Sequence, residues 1–148
     1  MNKITYTPEN ISSLGKNEVF VFGSNINGEH IGGAAYVALQ KFGARMGQGQ
    51  GLQGQSYAIP TCVRVTMKDK GDKIVRYTKP FDSVADIKPY VDAYIKDAVR
   101  LDDKVFYVTK IGCGIAGFEV NEIAELFRPC LDMVNVILPK EFVECLEG

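Results

Sequence analysis

Polar and apolar positions along the chain follow two alternating rhythms. Short runs of apolar or β-branched residues bounded by turn formers predict strands at residues 4–6, 19–22, 57–60, 105–109 and 134–138. Residues 19–22 read Val-Phe-Val-Phe, apolar throughout, and 134–138 are nearly so. That predicts burial on both faces, as in a sheet covered by helices. Residues 63–66 and 74–77 flank Asp69-Lys70-Gly71-Asp72 and predict a peripheral hairpin, acting either as a lid or as a passive ornament.

Between these runs the period changes to that of a helix. Residues 33–42 predict one, with Tyr36, Leu39 and Phe42 facing inward and Gly43 as its stop. Residues 87–101 predict a second, in which Ile87, Val91, Tyr94, Ile95 and Ala98 share a face. Asp86 reads as its N-cap, which puts Pro89 in a first turn where a missing N–H costs little. A third begins near Asn121, turns Ile123, Leu126 and Phe127 inward, and ends or kinks at Pro129. A short tail helix fits residues 140–146. Strands alternating with helices predict an α/β fold, a three-layer α/β/α sandwich. No linker, internal repeat or heptad interrupts residues 1–148, and their number suits one domain.

Composition removes several classes. At 46% hydrophobic and 24% charged, the chain is too apolar and too balanced for disorder. No apolar run approaches the length of a membrane span, and residues 1–5 lead into no apolar secretory segment, so a cytoplasmic protein is expected. Formal net charge is −1, and Lys68, Lys70, Lys73 and Arg76 are interrupted by acids, so they read as a solvated loop. A nucleic-acid partner is therefore not expected. Cys62, Cys113, Cys130 and Cys145 are scattered, no Cys-x-x-Cys occurs and His30 is the single histidine, so no metal site is expected. The thiols read as reduced. No cofactor is called for, and oligomeric state is not legible.

The glycines carry the chemistry. Nine of the fifteen lie between Gly23 and Gly54, and three more between Gly112 and Gly117. One group forms a loop after the strand at 19–22, running from Gly23-Ser24-Asn25 to Gly32-Gly33-Ala34-Ala35. The other, Gly112-Cys113-Gly114-Ile115-Ala116-Gly117-Phe118, follows the strand at 105–109. Each leads into a helix. Ligands of α/β sheets bind beyond the carboxyl ends of strands, and successive N–H groups at a helix N-terminus make a nest for anions. Such a site holds phosphate without cations, which agrees with the neutral charge. Residues 47–55, alternating Gly and Gln, are too glycine-rich for helix or strand and read as a solvated loop.

Residues 112–117 also match G-x-G-x-x-G, the dinucleotide fingerprint. Glu141 lies near the place of its acidic partner, but the remaining chain has room for only one more strand, so a full dinucleotide domain does not fit. Taken together and in order, the two loops resemble those of the macro-domain family, which binds ADP-ribose. The likeness runs from Val19 to about Phe127 and implies a sandwich around a central mixed sheet. It also implies roles. Residues Gly112 to Gly117, including Cys113, Ile115 and Ala116, would wrap a diphosphate, and Gly32 and Gly33 would face it. Asn25 would reach the distal ribose and Phe118 would pack beside it, and Ser24 is counted among the ligand-binding residues. Glu9 stands nearest the family's adenine-recognising acid.

Two departures bear on activity. Ala34 and Ala35 stand where hydrolytic members of one branch carry an acid, and Ala116 replaces an aromatic residue. Binding of ADP-ribose or a related nucleotide diphosphate is therefore the leading expectation. Hydrolysis of ADP-ribose from protein, nucleic acid or a small molecule is the alternative, with His30 as general base and Glu29 positioning water. A non-catalytic interaction protein with a vestigial pocket is the second alternative. Lys110 would pair with phosphate or, with a depressed pKa, act as a nucleophile. Cys113 would fill space or, as a thiolate, attack.

Overall fold

A computed structural model describes residues 5–148. The elements are β1 (Glu18–Asn25), α1 (Gly33–Lys41), β2 (Gly51–Gln53), β3 (Ser56–Lys68), β4 (Ile74–Pro80), α2 (Val84–Arg100), β5 (Val105–Val108), α3 (Val120–Leu126), a 3-10 turn (Arg128–Asp132), β6 (Val136–Ile137) and α4 (Lys140–Glu147). The fold is α/β. Its sheet runs β2-β3-β1-β5-β6, and β4 also pairs with β3. The sheet is mixed: β1 is parallel to β3 and β5, and β5 to β6, while β2 and β4 run antiparallel to β3.

Strand alternation sorts β1 between two apolar clusters. Val19 and Val21 join Tyr57, Ile59, Phe106 and Val108 under residues of α2, α3 and α4. Phe20 and Phe22 join Ala35, Ala38 and Phe42 of the α1 segment. Both faces of β1 are thus buried, as its unbroken apolar run requires. In α2, Ile87, Val91, Tyr94 and Ala98 are fully buried, as their spacing predicts.

Several expectations are corrected. The predicted strand at 57–60 and half of the predicted hairpin are one strand, β3. Pro60 does not break it, because β2 pairs with β3 only as far as Ala58 and the pairing of β3 with β4 begins at Cys62. The missing N–H falls in the gap between the two antiparallel partners. The Gly/Gln segment, expected to be loop throughout, contributes β2 at the sheet edge. In α1 the alanines face the core and Tyr36 is half exposed; Leu39 is only partly buried. The phenylalanines of β1 fill that space, so the helix must approach closely through small residues. Ser83, not Asp86, caps α2: Asp86 sits at the third position and closes a capping box, its Oδ2 accepting from the Ser83 N–H at 3.1 Å. Pro89 therefore lies inside the helix, where it removes a backbone bond. Ile4, at the start of the predicted 4–6 strand, lies outside the described residues. Tyr6 makes an isolated parallel bridge to Leu138.

A polar tie crosses the larger core. The Tyr57 hydroxyl donates to Asp97 Oδ2 of α2 at 2.5 Å, joining helix to central strand. Burial, and then this carboxylate, push the Tyr57 phenol far above its ordinary value, and burial does the same to Tyr94. A raised folded pKa contributes stability that is complete below the unfolded value and is lost as pH rises. Above about pH 10 the unfolded chain releases a proton that the folded chain keeps, so stability falls by about 1.4 kcal/mol per pH unit for each such tyrosine. Urea titrations between pH 9.5 and 11 should show this decline, shallower by about that slope in Tyr57→Phe. An unchanged slope in the variant would contradict the assignment.

Candidate functional site

Because β1 and β5 are adjacent and parallel, their carboxyl ends open on the same side. The loop after β1 and the loop after β5 meet there around a cavity of about 450 Å³. That lies within the usual range for small-molecule sites. Of the predicted site residues, Ser24, Asn25, Glu29, Gly32, Gly33, Gly112, Gly114, Ile115 and Ala116 line the cavity. His30, Cys113, Gly117 and Phe118 do not.

The wall is rich in unpartnered backbone donors. α1 starts on Gly32, which is extended and offers no side-chain cap, so the N–H groups of Gly33, Ala34 and Ala35 have no partner within the helix. In the second loop, Cys113, Gly117 and Phe118 spend their N–H groups on Lys110, Gly114 and Gly112 oxygens at 3.3, 3.0 and 2.8 Å. These bonds close the loop on itself. Those of Gly114, Ile115 and Ala116 meet no acceptor among the described residues. Two sets of three donors thus border one cavity, which suits an anion held by backbone alone. The Ile115 side chain, 72% exposed, spans the cleft: its Cδ1 lies 4.0 Å from where a Cβ on Gly32 or Gly33 would stand.

Several assigned roles change. His30 is completely buried, with its ring edge-on to Phe22 and Nε2 3.0 Å from the Gln48 carbonyl. It supports the loop from beneath and does not reach the cavity. The Asn25 amide donates to the Glu29 carbonyl at 2.8 Å, and its oxygen accepts the Glu29 N–H at 2.9 Å. Asn25 thereby shapes the loop with the group expected to reach a ribose. Ser24 Oγ donates to the Gly49 carbonyl at 2.5 Å. Phe118 packs against the larger core, as does Cys113. Glu9 is exposed and is not part of the wall.

Neither nucleophile is poised. Glu141, 3.1 Å from the Lys110 amine, holds the lysine above its ordinary pKa, and burial pushes the Cys113 thiol up. Both shifts oppose the reactive form.

The hairpin of β3 and β4 supplies parts that single-strand reading missed. Thr61, Cys62 and Thr78 line the cavity. Arg64 Nε lies 3.6 Å from Glu29 Oε2, and Arg76 bonds to the same oxygen. The signal was the alternation of Arg64, Thr66 and Lys68. It becomes informative only once register sets Thr78, Arg76 and Ile74 opposite them.

The Gly/Gln segment also finds its purpose. A Cβ on Gly28 would stand 2.3 Å from the Gln48 nitrogen, and one on Gly49 would stand 2.4 Å from the Ile26 oxygen. The two loops touch backbone to backbone, and only glycine permits it. Gln53 Nε2 then donates to the Gln48 carbonyl at 3.1 Å, and its Oε1 accepts the Arg45 N–H at 2.6 Å. No protein-family model, curated protein or solved structure matches the chain.

Gly28 has a φ of +74°, and Gly47 has a φ of +91° with nothing within 4 Å of its would-be Cβ. Gly47→Ala should therefore cost only backbone strain, about 1 kcal/mol, whereas Gly28→Ala adds a clash and should cost about 3 kcal/mol or more. Urea denaturation of the two variants measures the difference, and equal losses would refute the close contact.

Proposed function

We propose that the cavity binds ADP-ribose or a related nucleotide diphosphate, and that the chain is a three-layer sandwich of macro-domain type. The observation that carries this is the convergence of two sets of unpartnered N–H groups, one at the start of α1 and one in the loop after β5, on a single cavity. A diphosphate offers several acceptor oxygens to such a pair of donor rows, and the dipole of α1 favours its charge. At the rim, Lys110 is paired with Glu141, and the single carboxylate of Glu29 is shared by Arg64 and Arg76, neither of which lines the cavity itself. Specificity for phosphate then rests on backbone geometry. The order of the loops, and the helices on both faces of β1, agree with the macro-domain resemblance.

A hydrolytic role falls to Glu29. It is the carboxylate in the cavity wall among the described residues, and the two guanidiniums fix its position. Turnover of ADP-ribosylated protein by the native chain, lost in Glu29→Gln with ligand affinity retained, would establish catalysis.

Calorimetric titration with ADP-ribose, AMP, NAD and inorganic phosphate tests binding. Gly114 lies in open space, and its φ is not in the left-handed region. Gly114→Val should therefore leave thermal stability nearly unchanged while its side chain obstructs the nest and abolishes ADP-ribose binding. No heat and no thermal shift in the native protein with any of the four would refute the reading. A variant that binds as the native chain does would remove the loop after β5 from the site.

A further inference from the structure

The charge of this chain is unevenly placed. Residues 63–80 hold six Lys or Arg against two Asp, a net charge of +4, and the remainder of the chain is left at −5. Read along the sequence, these cations look interrupted. The strand pairing gathers three of them, Arg64, Lys68 and Arg76, while Lys79, opposite Val63, faces the other way, 3.9 Å from Asp82. Arg64 stands opposite Thr78, Thr66 opposite Arg76, and Lys68 opposite Ile74, so these six side chains share one face of the hairpin. Cys62 belongs to the same alternation, and Cys62 and Thr78 line the cavity. The basic face is thus continuous with the cavity wall and leads outward from it. Asp69 is occupied at the turn, its Oδ1 accepting the Gly71 and Lys73 N–H groups at 2.9 Å each. Lys70 and Lys73 are exposed beside it.

The inner end of this face has cation to spare. Arg64 and Arg76 share the single carboxylate of Glu29. Arg64 is 14% exposed, its NH1 donates to Thr78 Oγ1 at 3.0 Å, and its Nε is buried without a hydrogen-bond partner. Two guanidiniums on one carboxylate leave a positive charge, and a buried donor without an acceptor is costly. An incoming oxyanion would relieve both. The face runs on through Lys68 to the turn, beyond the residues that line the cavity. A repeating anion of phosphodiesters fits it, and exposed Ile74, paired with Lys68 on the same face, offers apolar surface to a base.

We infer that the β3–β4 hairpin is a track for a single nucleic-acid strand whose diphosphate-bearing end enters the cavity. This rests on the nucleotide-diphosphate reading above and names its substrate class. The basic face carries the strand; the N–H nest holds the diphosphate.

Fluorescence anisotropy with an eight-nucleotide single strand, carrying either a 5′-hydroxyl or a 5′-adenylyl group joined through a diphosphate, tests it. About three phosphate contacts predict that affinity falls fifteen- to twentyfold between 50 and 200 mM salt. The adenylylated strand should bind at least tenfold more tightly than the hydroxyl form, and Gly114→Val should remove that gain. A triple variant, Lys68→Glu with Lys70→Glu and Lys73→Glu, touches exposed positions only. It should weaken both strands at least tenfold and leave ADP-ribose affinity unchanged. Failure of either strand to bind at 50 mM salt overturns the inference. So do equal affinities of the two strands, an unaltered triple variant, or a poly-glutamate chain that competes as well as the strand. Strand binding without any adenylyl gain or ADP-ribose heat would refute the cavity reading and the end-entry step together. ADP-ribose heat without strand binding would refute the track alone.

Discussion

The backbone contact between the loop after β1 and the Gly/Gln segment governs the site. At Gly28 and Gly49 the two chains lie closer than any side chain allows. Three further groups converge on the same short stretch: Ser24 on the Gly49 carbonyl, and His30 and Gln53 on the Gln48 carbonyl. The Gly47 N–H also donates to the Gly28 carbonyl at 2.9 Å. A glycine loop alone is entropically expensive to order. Here that cost is met outside the cavity, by a polar contact beneath it. The upper surface of the loop can then keep its N–H groups unpartnered while its position stays defined.

The same division appears in the second loop. Its closing bonds use the Cys113, Gly117 and Phe118 N–H groups, and Cys113 and Phe118 anchor it to the larger core. The donors left over lie between these anchors. In both loops a side chain that looks chemical, His30 in one and Cys113 in the other, faces away from the cavity and holds the backbone in place. The ionisable groups that do line it, Glu29 and Lys110, are held in ion pairs, which leaves the backbone N–H groups as the free donors of the two loops. On the reading proposed above, such a wall would recognise the shape and charge of an oxyanion, and it suits a chain whose overall charge is close to neutral.

The sequence was most legible where one periodicity governed one element. β1, α2, β5 and the tail helix were plain because local alternation and burial coincide there. It was least legible where the outcome depends on a partner distant in sequence. The strand at 57–60 reads as ending with Pro60 until β2 and β4 are known to leave that residue unpaired, so that the strand continues to Lys68. Residues 51–53 read as loop because β2 exists only through pairing with β3. Loop geometry could be inferred from glycine and the N-terminus of α1, so both sides of the cavity were predicted. The role of His30 could not, because exposure of a lone histidine depends on what packs over it, and Phe22 and Gln48 do so here. Glu29 was identified, but its partners were hidden, since Arg64 and Arg76 reach it only after β3 and β4 pair.

That last point bears on how charge should be read in a chain of this kind. A net charge near zero describes the whole molecule, whereas a ligand meets a face. At about 10 Å screening length in 0.1 M salt, cations on one hairpin face act together, and acids beyond that distance are largely screened from them, whereas Glu29, in contact with Arg64 and Arg76, is not. Strand pairing makes such a face by collecting every second residue of two segments, so Arg64, Lys68 and Arg76 stand together although acids at the turn lie between Lys68 and Arg76 in sequence. The basic stretch and the neutral glycine nest are then complementary. A nest binds one compact oxyanion through short, directional contacts that salt weakens little. A cationic strand face binds extended phosphate weakly and without direction. Joined at Cys62 and Thr78, the two would make the nest selective for a diphosphate presented on a long anion, which neither element achieves separately.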